Sequence, residues 1–440
     1  MIKTLTSAFK NKDIRKKLLY TLMMLVVIRI GSLLPIPGVD TEYFSTLLSG
    51  FNSGDLSYLS AFTGGSFEKM SLFALSITPY ITSSIIMQLL TIAIPKLEEM
   101  QKEGEDGRKK IASITRYVTI ALALIESIAM AVGFGRQGLI KDYKDMSTIH
   151  YVTCIIVVVA ALTAGSAVLM WIGERITEKG VGNGISIVLL INIISGMPSD
   201  FVTLYSTFVA NKSIARGVTV AVIIAAIVIA VVVLVVILQD GERRIPVQYS
   251  QKVAGRKTIG GQATNIPLKV NTAGVMPIIF ASSIMQFPVI IVQLFTSNSY
   301  EWTKYLSQSY WCRVQMPKYS IGLLLYIILV VVFAYFYTSI TFNPVQIADN
   351  LKKAGGVVPG ITPGRSTSEY LNKILNYIVF IGAVGLMIVA LIPIMCTGFF
   401  NASVSFGGTS IIIIVGVILE TVKQIESQLL VRNYKGFLNN

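Results

Sequence analysis

The stretch GVTVAVIIAAIVIAVVVLVVIL, residues 217–238, runs for 22 residues without a charged side chain. At a rise of 1.5 Å per residue, a helix of this length extends about 33 Å and crosses a hydrocarbon core of ~30 Å. A helix also satisfies its own backbone hydrogen bonds, which hydrocarbon requires because it contains no water. The stretch therefore predicts a transmembrane helix.

Similar apolar runs recur on both sides of this stretch. The whole chain is 53% hydrophobic and 14% charged, with a mean hydropathy of +0.68. A soluble domain of this length needs more charge to cover its surface. We therefore predict an all-α polytopic membrane protein with ten transmembrane helices, at residues 18–35, 70–94, 111–133, 152–172, 185–205, 217–238, 273–295, 321–341, 374–394 and 410–430.

Basic residues indicate the orientation of these spans. Loops on the side of the N-terminus carry 25 Lys and Arg residues, and loops on the opposite side carry 8. The positive-inside rule places the richer side in the cytoplasm. An even number of spans returns the chain to its starting side, so we expect both termini to be cytoplasmic.

Two cytoplasmic loops and one short segment stand out between the spans. Loop 239–269 is basic and its pattern predicts a hairpin, with residues 245–250 and 257–260 flanking a turn at residues 253–256. Loop 342–372 contains three Gly/Pro pairs, which predict a shaped loop rather than a helix. Segment 57–69 is moderately apolar but too short to span, so we expect it to fold back into the bundle.

Polar residues and prolines in two spans predict an internal repeat. Span two holds Pro79 among threonines and serines, and span seven holds Pro277 in a similar setting. Each polar residue alone fits ordinary interhelical hydrogen bonding. Matching positions in the two halves favour pseudo-symmetric five-helix units around a cavity. The predicted organisation is a cytoplasmic N-terminus (1–17), an N-terminal half (18–205), a C-terminal half (206–430) and a cytoplasmic tail (431–440).

Catalytic and cofactor motifs are missing from the sequence. There is no GxSxG, HExxH or GxxxxGK[ST] pattern, and GVGNG at residues 180–184 lacks the lysine of a phosphate-binding loop. Cys154, Cys312 and Cys396 are scattered, and His150 is the only histidine. We therefore predict no enzymatic activity, no metal site and no cofactor.

Charged residues in the spans test the main alternative, an ion-coupled transporter of small solutes. Such a transporter needs ionisable groups that converge near the midplane. The candidates Arg29, Arg116 and Glu126 lie where their side chains can reach an interface. Glu420 and Lys423 are spaced for an i,i+3 pair with each other. This distribution favours structural roles over an ion pathway.

Several strings, in order along almost the whole chain, resemble signatures of the SecY family of protein-conducting channels. They are SLFALSITPYI (71–81), EGEDGRKKI (103–111), GERIT (173–177), GNGIS (182–186), PLKVN (267–271), GVMP (274–277), PGITPG (359–364) and GGTS (407–410). One position departs from the family pattern, which usually has arginine where this chain has Thr362.

The resemblance implies an hourglass pore between helices 1–5 and helices 6–10. By position, the pore ring would be Ile77, Ile81, Ile185, Leu189, Ile279 and Ile413. Segment 57–69 would be the plug, with Ser57, Leu59, Phe62, Gly64, Gly65 and Phe67 as its key residues. Spans two and seven would flank the lateral gate, lined by Thr82, Ser83, Gln88, Ser282, Ser283 and Gln286.

The resemblance also implies partners and a function. The two cytoplasmic loops would dock the SecA motor ATPase or the ribosome through Arg243, Arg244, Arg256, Lys257, Lys352, Lys353 and Arg365. The small subunits SecE and SecG would attach to the outside of the bundle. The expected function is passage of unfolded secretory polypeptides across the bacterial cytoplasmic (inner) membrane. Signal sequences and transmembrane segments would leave sideways into lipid.

Overall fold

The computed structural model describes residues 2–50, 63–135, 139–140, 147–208, 214–249, 252–254, 257–259, 263–295, 300–313, 316–400 and 408–438. Its first half contains α1 (Ile2–Lys10), α2 (Lys12–Leu33), α3 (Thr41–Gly50), α4 (Thr78–Ala93), α5 (Pro95–Lys102), α6 (Glu105–Phe134), α7 (Thr148–Lys179) and α8 (Gly184–Phe208).

The second half begins with α9 (Ile214–Asp240) and then forms four strands, β1 (Glu242–Tyr249), β2 (Lys252–Ala254), β3 (Lys257–Ile259) and β4 (Ala263–Lys269). It continues through α10 (Met276–Phe295), α11 (Glu301–Leu306), α12 (Ile321–Thr341), α13 (Pro344–Lys353), β5 (Gly356–Val357), α14 (Arg365–Phe400) and α15 (Gly408–Leu438).

Each of the ten predicted spans contains one helix: α2, α4, α6, α7, α8, α9, α10, α12, α14 and α15. Among the described residues, five helices are each long and apolar enough to cross a membrane alone. Several helices are longer than their predicted spans. For example, α14 begins at Arg365, nine residues before the predicted start at residue 374. Hydropathy identifies only the apolar, lipid-facing part of a helix. A polar turn that extends the same helix is therefore not predicted as part of the span.

The second predicted span is helical only in its later part. Residues 70–77 form turns, and Met70 and Ser76 both have positive φ angles, of 41° and 53°. Such φ angles interrupt a right-handed helix. Pro79 lies in the first turn of α4, where its missing N–H is no loss. The helix therefore begins at Thr78, and the prediction of a span starting at residue 70 was wrong for its first eight residues.

The loops 239–269 and 342–372 join in one sheet. Strand β1 pairs antiparallel with β4, from Glu242 opposite Lys269 to Gln248 opposite Ala263. Its end also pairs with β5 of the second loop, which gives the order β4-β1-β5. The predicted pairing of residues 245–250 with 257–260 was wrong, because residues 257–259 pair instead with β2 in a small hairpin of their own.

Loop 342–372 is more helical than its Gly/Pro pairs predicted. Asn343 caps α13 by accepting from the backbone N–H groups of Val345 and Gln346, and Pro344 occupies the first helical position. The Asn-Pro pair is a helix start signal that the prediction from Gly/Pro pairs overlooked. Helix α14 takes up residues 365–372 as well. Only the stretch between these two helices is the shaped loop that the sequence predicted.

The helices pack as two groups. In the first group α4 packs on α6, α6 on α7, and α7 on both α2 and α8. In the second group α9 packs on α14 and α15, and α12 packs on α10 and α14. Two of the contacts between the groups are those of α8 with α15 and of α6 with α10. These contacts position the candidate site.

Candidate functional site

The six predicted ring residues lie in one hydrophobic cluster. Ile77, Leu189, Ile279 and Ile413 are buried members, and Ile81 and Ile185 pack against them half-buried. Ile77 immediately precedes α4 and Ile81 lies in its first turns. Ile185 and Leu189 lie in α8, Ile279 in α10 and Ile413 in α15. The cluster therefore brings together residues from both helix groups at their junction.

The part of the predicted plug that the structure describes begins at Thr63. Ser57, Leu59 and Phe62 lie outside the described residues. Residues 63–77, which we call the plug-end segment, run in turns to α4. Phe67 packs edge-to-face with Phe44 and Phe134, with ring centroids 5.9 and 6.5 Å away. This aromatic contact is apolar and buried, and it anchors the segment to α3 and α6.

The backbone of the plug-end segment also pairs with the chain that leaves α2. Leu72 N–H donates to the carbonyl of Leu34 at 2.9 Å, and Ile36 N–H donates to that of Met70 at 3.1 Å. Gly165 of α7 lies so close that a Cβ there would sit 1.9 Å from the Leu72 carbonyl oxygen. The segment is thus wedged between α2 and α7.

Polar side chains of α8 face the same segment. Ser195 Oγ lies 3.3 Å from the Gly64 carbonyl oxygen, and the Asn192 side-chain amide donates to Ser76 Oγ at 2.9 Å. Arg29 of α2 donates to Ser195 Oγ at 2.9 Å. Asn192 and Ser195 were absent from the predicted site. The sequence could have indicated both residues, because they follow Leu189 on α8 at helical spacing.

The predicted lateral-gate residues have different partners. Ser83 donates to the Thr115 carbonyl of α6 at 2.9 Å, whereas Thr82 bonds back to its own helix at Thr78. Ser282 accepts from Gln308 at 3.3 Å. Gln286 is buried and Ser283 half-buried. Helix α6 of the first group packs on α10 of the second, and the sequence prediction of a gate between spans two and seven did not include it.

Gln88 stands apart from the other gate residues. Its side-chain oxygen is buried without a hydrogen-bond partner among the described residues. A buried amide oxygen that lacks a donor costs free energy, and such groups are uncommon in folded proteins.

Two of the charged residues of the spans form ion pairs with a neighbouring helix. Arg116 on α6 meets Glu174 on α7 at 2.6 Å. Lys423 on α15 meets Asp240 at the end of α9 at 2.7 Å, and Glu420 is exposed. The predicted Glu420–Lys423 pair was therefore wrong, because a partner from a neighbouring helix takes the ammonium. Within the described ranges, no three His, Cys, Asp or Glu side chains form a group that could hold a metal ion.

Five of the seven predicted docking residues lie on β1 of the shared sheet or on the helices α13 and α14 beside it. Arg243, Arg244, Lys352, Lys353 and Arg365 are exposed. Lys257 lies in β3, and Arg256 falls outside the described residues. Beneath them, Ile245, Val247 and Leu351 pack in one cluster with Ile374 and Ile378 of α14. The basic residues therefore stand on a packed support that continues into a transmembrane helix.

A sequence model of the family described as SecY matches residues 71–422 of the chain. The chain belongs to the SecY family. It is 43% identical over its whole length to the protein translocase subunit SecY of Streptomyces galbus, which it also covers completely. The resemblance predicted from the sequence motifs is confirmed.

Solved SecY-type channels have the same fold. One is a SecY structure whose description says that the plug domain stabilises the closed state of the channel. It superposes on this chain with a TM-score of 0.61 at 17% identity. The match covers 94% of this chain and 92% of that one. Sec61 in the canine ribosome–channel complex superposes with a TM-score of 0.56 at 17% identity and the same coverage.

The SecY fold confirms an all-α polytopic membrane protein of ten spans. The chain is therefore a multi-pass membrane protein of a channel family. No finding supports the alternative of an ion-coupled transporter. The individual ring, plug, gate and docking residues remain predictions, now with known positions in the fold.

Proposed function

We propose that this SecY-family chain forms a channel that passes unfolded polypeptides across the cytoplasmic membrane and releases transmembrane segments sideways into lipid. The observation that carries the proposal is one hydrophobic cluster that includes residues of both helix groups and contains all six predicted ring residues, Ile77, Ile81, Ile185, Leu189, Ile279 and Ile413. Conduction is passive, and the chain performs no enzymatic step of its own.

The ring works by excluding water. A narrow collar of aliphatic side chains dewets, and an ion cannot shed its hydration shell to enter it. Aliphatic side chains also lack directional hydrogen bonds, so they tolerate any side chain of a passing polypeptide. The plug, residues 57–69, adds a second barrier on one side of the ring.

The lateral gate lies between α4 and α6 of one half and α10 of the other. The Ser83 hydrogen bond to Thr115 joins α4 to α6 within the first half, so the gate can part between these two helices and α10 without breaking it. A segment apolar enough to leave the aqueous pore partitions between these helices into lipid, driven by burial of its surface. Gating is then a shift between closed and open bundles, set by what binds better to the open one.

The partners are inferred from charge and from relatives. Ribosomal RNA is anionic, and a basic surface attracts it in proportion to the phosphates that it neutralises. A solved relative, Sec61, occurs in a ribosome–channel complex. We extend this to the basic sheet of the present chain, with the SecA motor as a second occupant. SecE and SecG subunits on the lipid side, cytoplasmic termini and an inner-membrane location complete the proposal.

The organisation into two halves, 18–205 and 206–430, rests on the helix contacts. We expect the N-terminus at 1–17, the tail at 431–440 and the docking loops 239–269 and 342–372 to share the cytoplasmic side. Thr362 stands at the usual family arginine, and its backbone carbonyl accepts a hydrogen bond from Thr367 Oγ at 2.9 Å. This position therefore supports the first turn of α14.

Reconstitution tests the function directly. The chain is purified with its small subunits and placed in vesicles with SecA, ATP and a secretory precursor. Protection of the precursor from external protease, dependent on the chain, is the expected result. Vesicles that lack the chain control for adsorption. Equal protection in their absence would refute the channel.

A further inference from the structure

One face of α8 changes character along its length. Ile185 and Leu189 belong to the apolar cluster, and the next residues at helical spacing, Asn192 and Ser195, are polar. Asn192 is 2% exposed, so its side chain is buried in the bundle. A buried polar face next to an apolar one needs specific partners, because unpaired polar groups are costly.

The plug-end segment supplies those partners at two points. The Asn192 amide holds Ser76, which precedes α4. Ser195 Oγ lies 2.8 Å from the Asn192 carbonyl and 3.3 Å from that of Gly64. Residues 64 and 76 bracket the segment, so α8 holds it at both ends.

Gly64 is needed for this approach. Its φ is +63°, and a Cβ there would lie 2.5 Å from Ser195 Oγ and 2.7 Å from the Asn192 carbonyl oxygen. Only a residue without a side chain fits both the backbone conformation and the space. The contact between the segment and α8 is therefore a close one between backbone and polar side chain.

Arg29 completes the arrangement from a third element. Its guanidinium has no acceptor atoms, so in the contact with Ser195 the hydroxyl oxygen must accept. The single hydroxyl hydrogen is thereby left to point at a carbonyl, that of Asn192 or of Gly64. Arg29 thus orients Ser195 and acts as a positioning residue.

We propose that Arg29, Asn192 and Ser195 form a polar latch that fastens the plug-end segment to α8 in the closed channel and opens when the channel opens. This inference rests on the proposed channel function. Hydrogen bonds suit a releasable contact, because water replaces each missing partner on opening. Water cannot replace the apolar packing of Phe67 in the same way.

Ser66 provides the probe of latch opening. It is 1% exposed, and its hydroxyl has no partner among the described residues, so Ser66→Cys is nearly isosteric. The full chain, with Cys154→Ser and Cys396→Ser, is reconstituted and labelled with a membrane-impermeant maleimide. Native Cys312, in the loop between α10 and α12, serves as an internal reference. Burial raises the pKa of its thiol, so labelling is done at constant pH.

The latch predicts that Ser195→Ala and Asn192→Leu each speed labelling at Ser66→Cys about 2- to 10-fold, the effect of removing one hydrogen bond. Ser166→Ala is the matched control, since that buried hydroxyl on α7 has no partner among the described residues. It should change labelling less than about twofold, and Cys312 labelling should stay constant throughout. A purely structural role would change both thiols alike.

Two results would overturn the latch: unchanged labelling in both latch variants, or an equal increase in Ser166→Ala. Precursor translocation is measured in the same vesicles. The latch is refuted, and the channel function stands, if two results are obtained together. The unsubstituted chain translocates precursor, and the thiol of Ser66→Cys is labelled at the same rate in the latch variants as without them. If the unsubstituted chain does not translocate, the channel function itself fails.

Discussion

The hydroxyl of Ser83 donates to the backbone carbonyl of Thr115 over 2.9 Å, and this bond joins α4 to α6. Ser83→Ala removes it and should lower the stability of the bundle by about 0.5–1.5 kcal/mol. Thermal unfolding in detergent measures the change. Thr82→Ala is the control, because its hydroxyl bonds only to its own helix at Thr78 and should matter less. Equal losses in the two variants would contradict an α4–α6 tie.

Removing one side chain of the ring should open a leak. Ile279→Gly takes an aliphatic group out of the buried cluster and should raise the ion conductance of the resting channel severalfold, since the collar no longer dewets. Ile284→Gly makes the same helix substitution at a position 47% exposed and should leave conductance unchanged. Planar-bilayer recording separates the two. A tight Ile279→Gly channel would argue against the ring.

The contact of Gly165 with Leu72 predicts a strong steric effect. Gly165→Ala places a methyl group 1.9 Å from a carbonyl oxygen, so the backbone must shift, at a cost of about 1–3 kcal/mol or more. Gly196→Ala on α8 meets nothing within 4 Å and should stabilise the helix by roughly 0.5–1 kcal/mol. The two unfolding midpoints should move in opposite directions.

The pairing of Lys423 is testable by a double-mutant cycle. Its partner Asp240 is on another helix, so Lys423→Ala and Asp240→Ala should couple by about 0.2–1 kcal/mol, the range of exposed ion pairs. The coupling should shrink as salt is added. Lys423 and Glu420 should show none. A larger coupling with Glu420 would restore the pairing that sequence spacing predicted.

The basic residues on the shared sheet and on α13 beside it predict a salt-dependent affinity for ribosomes. Lys352→Ala with Lys353→Ala should weaken binding and flatten the dependence of log affinity on log salt, by about 0.7–0.9 for each phosphate that is no longer neutralised. Lys304→Ala with Lys318→Ala changes the same charge in the loop between α10 and α12 and should leave binding intact. Sedimentation at several salt concentrations measures both slopes. Identical slopes would place the ribosome elsewhere.

The sequence predicted the spans well because hydrocarbon imposes a simple requirement on each of them. The apolar run 217–238 lies wholly within α9, and the ring positions carried over from the motifs converge in one cluster. These features depend on composition and on position within a family pattern.

Features that depend on tertiary contact were predicted less well. The start of α4 is set by Ser76, whose positive φ no hydropathy window reports. Lys423 pairs across helices, because the nearest acid in sequence is not the nearest in space. Strand β1 pairs with β4 rather than with β3, which is closer in sequence, and the turn residues alone do not specify that register. The latch residues belong to the same class.

The pairing of β1 with β5 has a mechanical consequence. Gln248 and Val357 are neighbours in one sheet although more than a hundred residues separate them, and Ile374 and Ile378 of α14 pack beneath. A force applied to either of the loops 239–269 and 342–372 therefore acts on both at once. Because β1 follows α9 directly and the sheet packs on α14, we expect these two helices to move together.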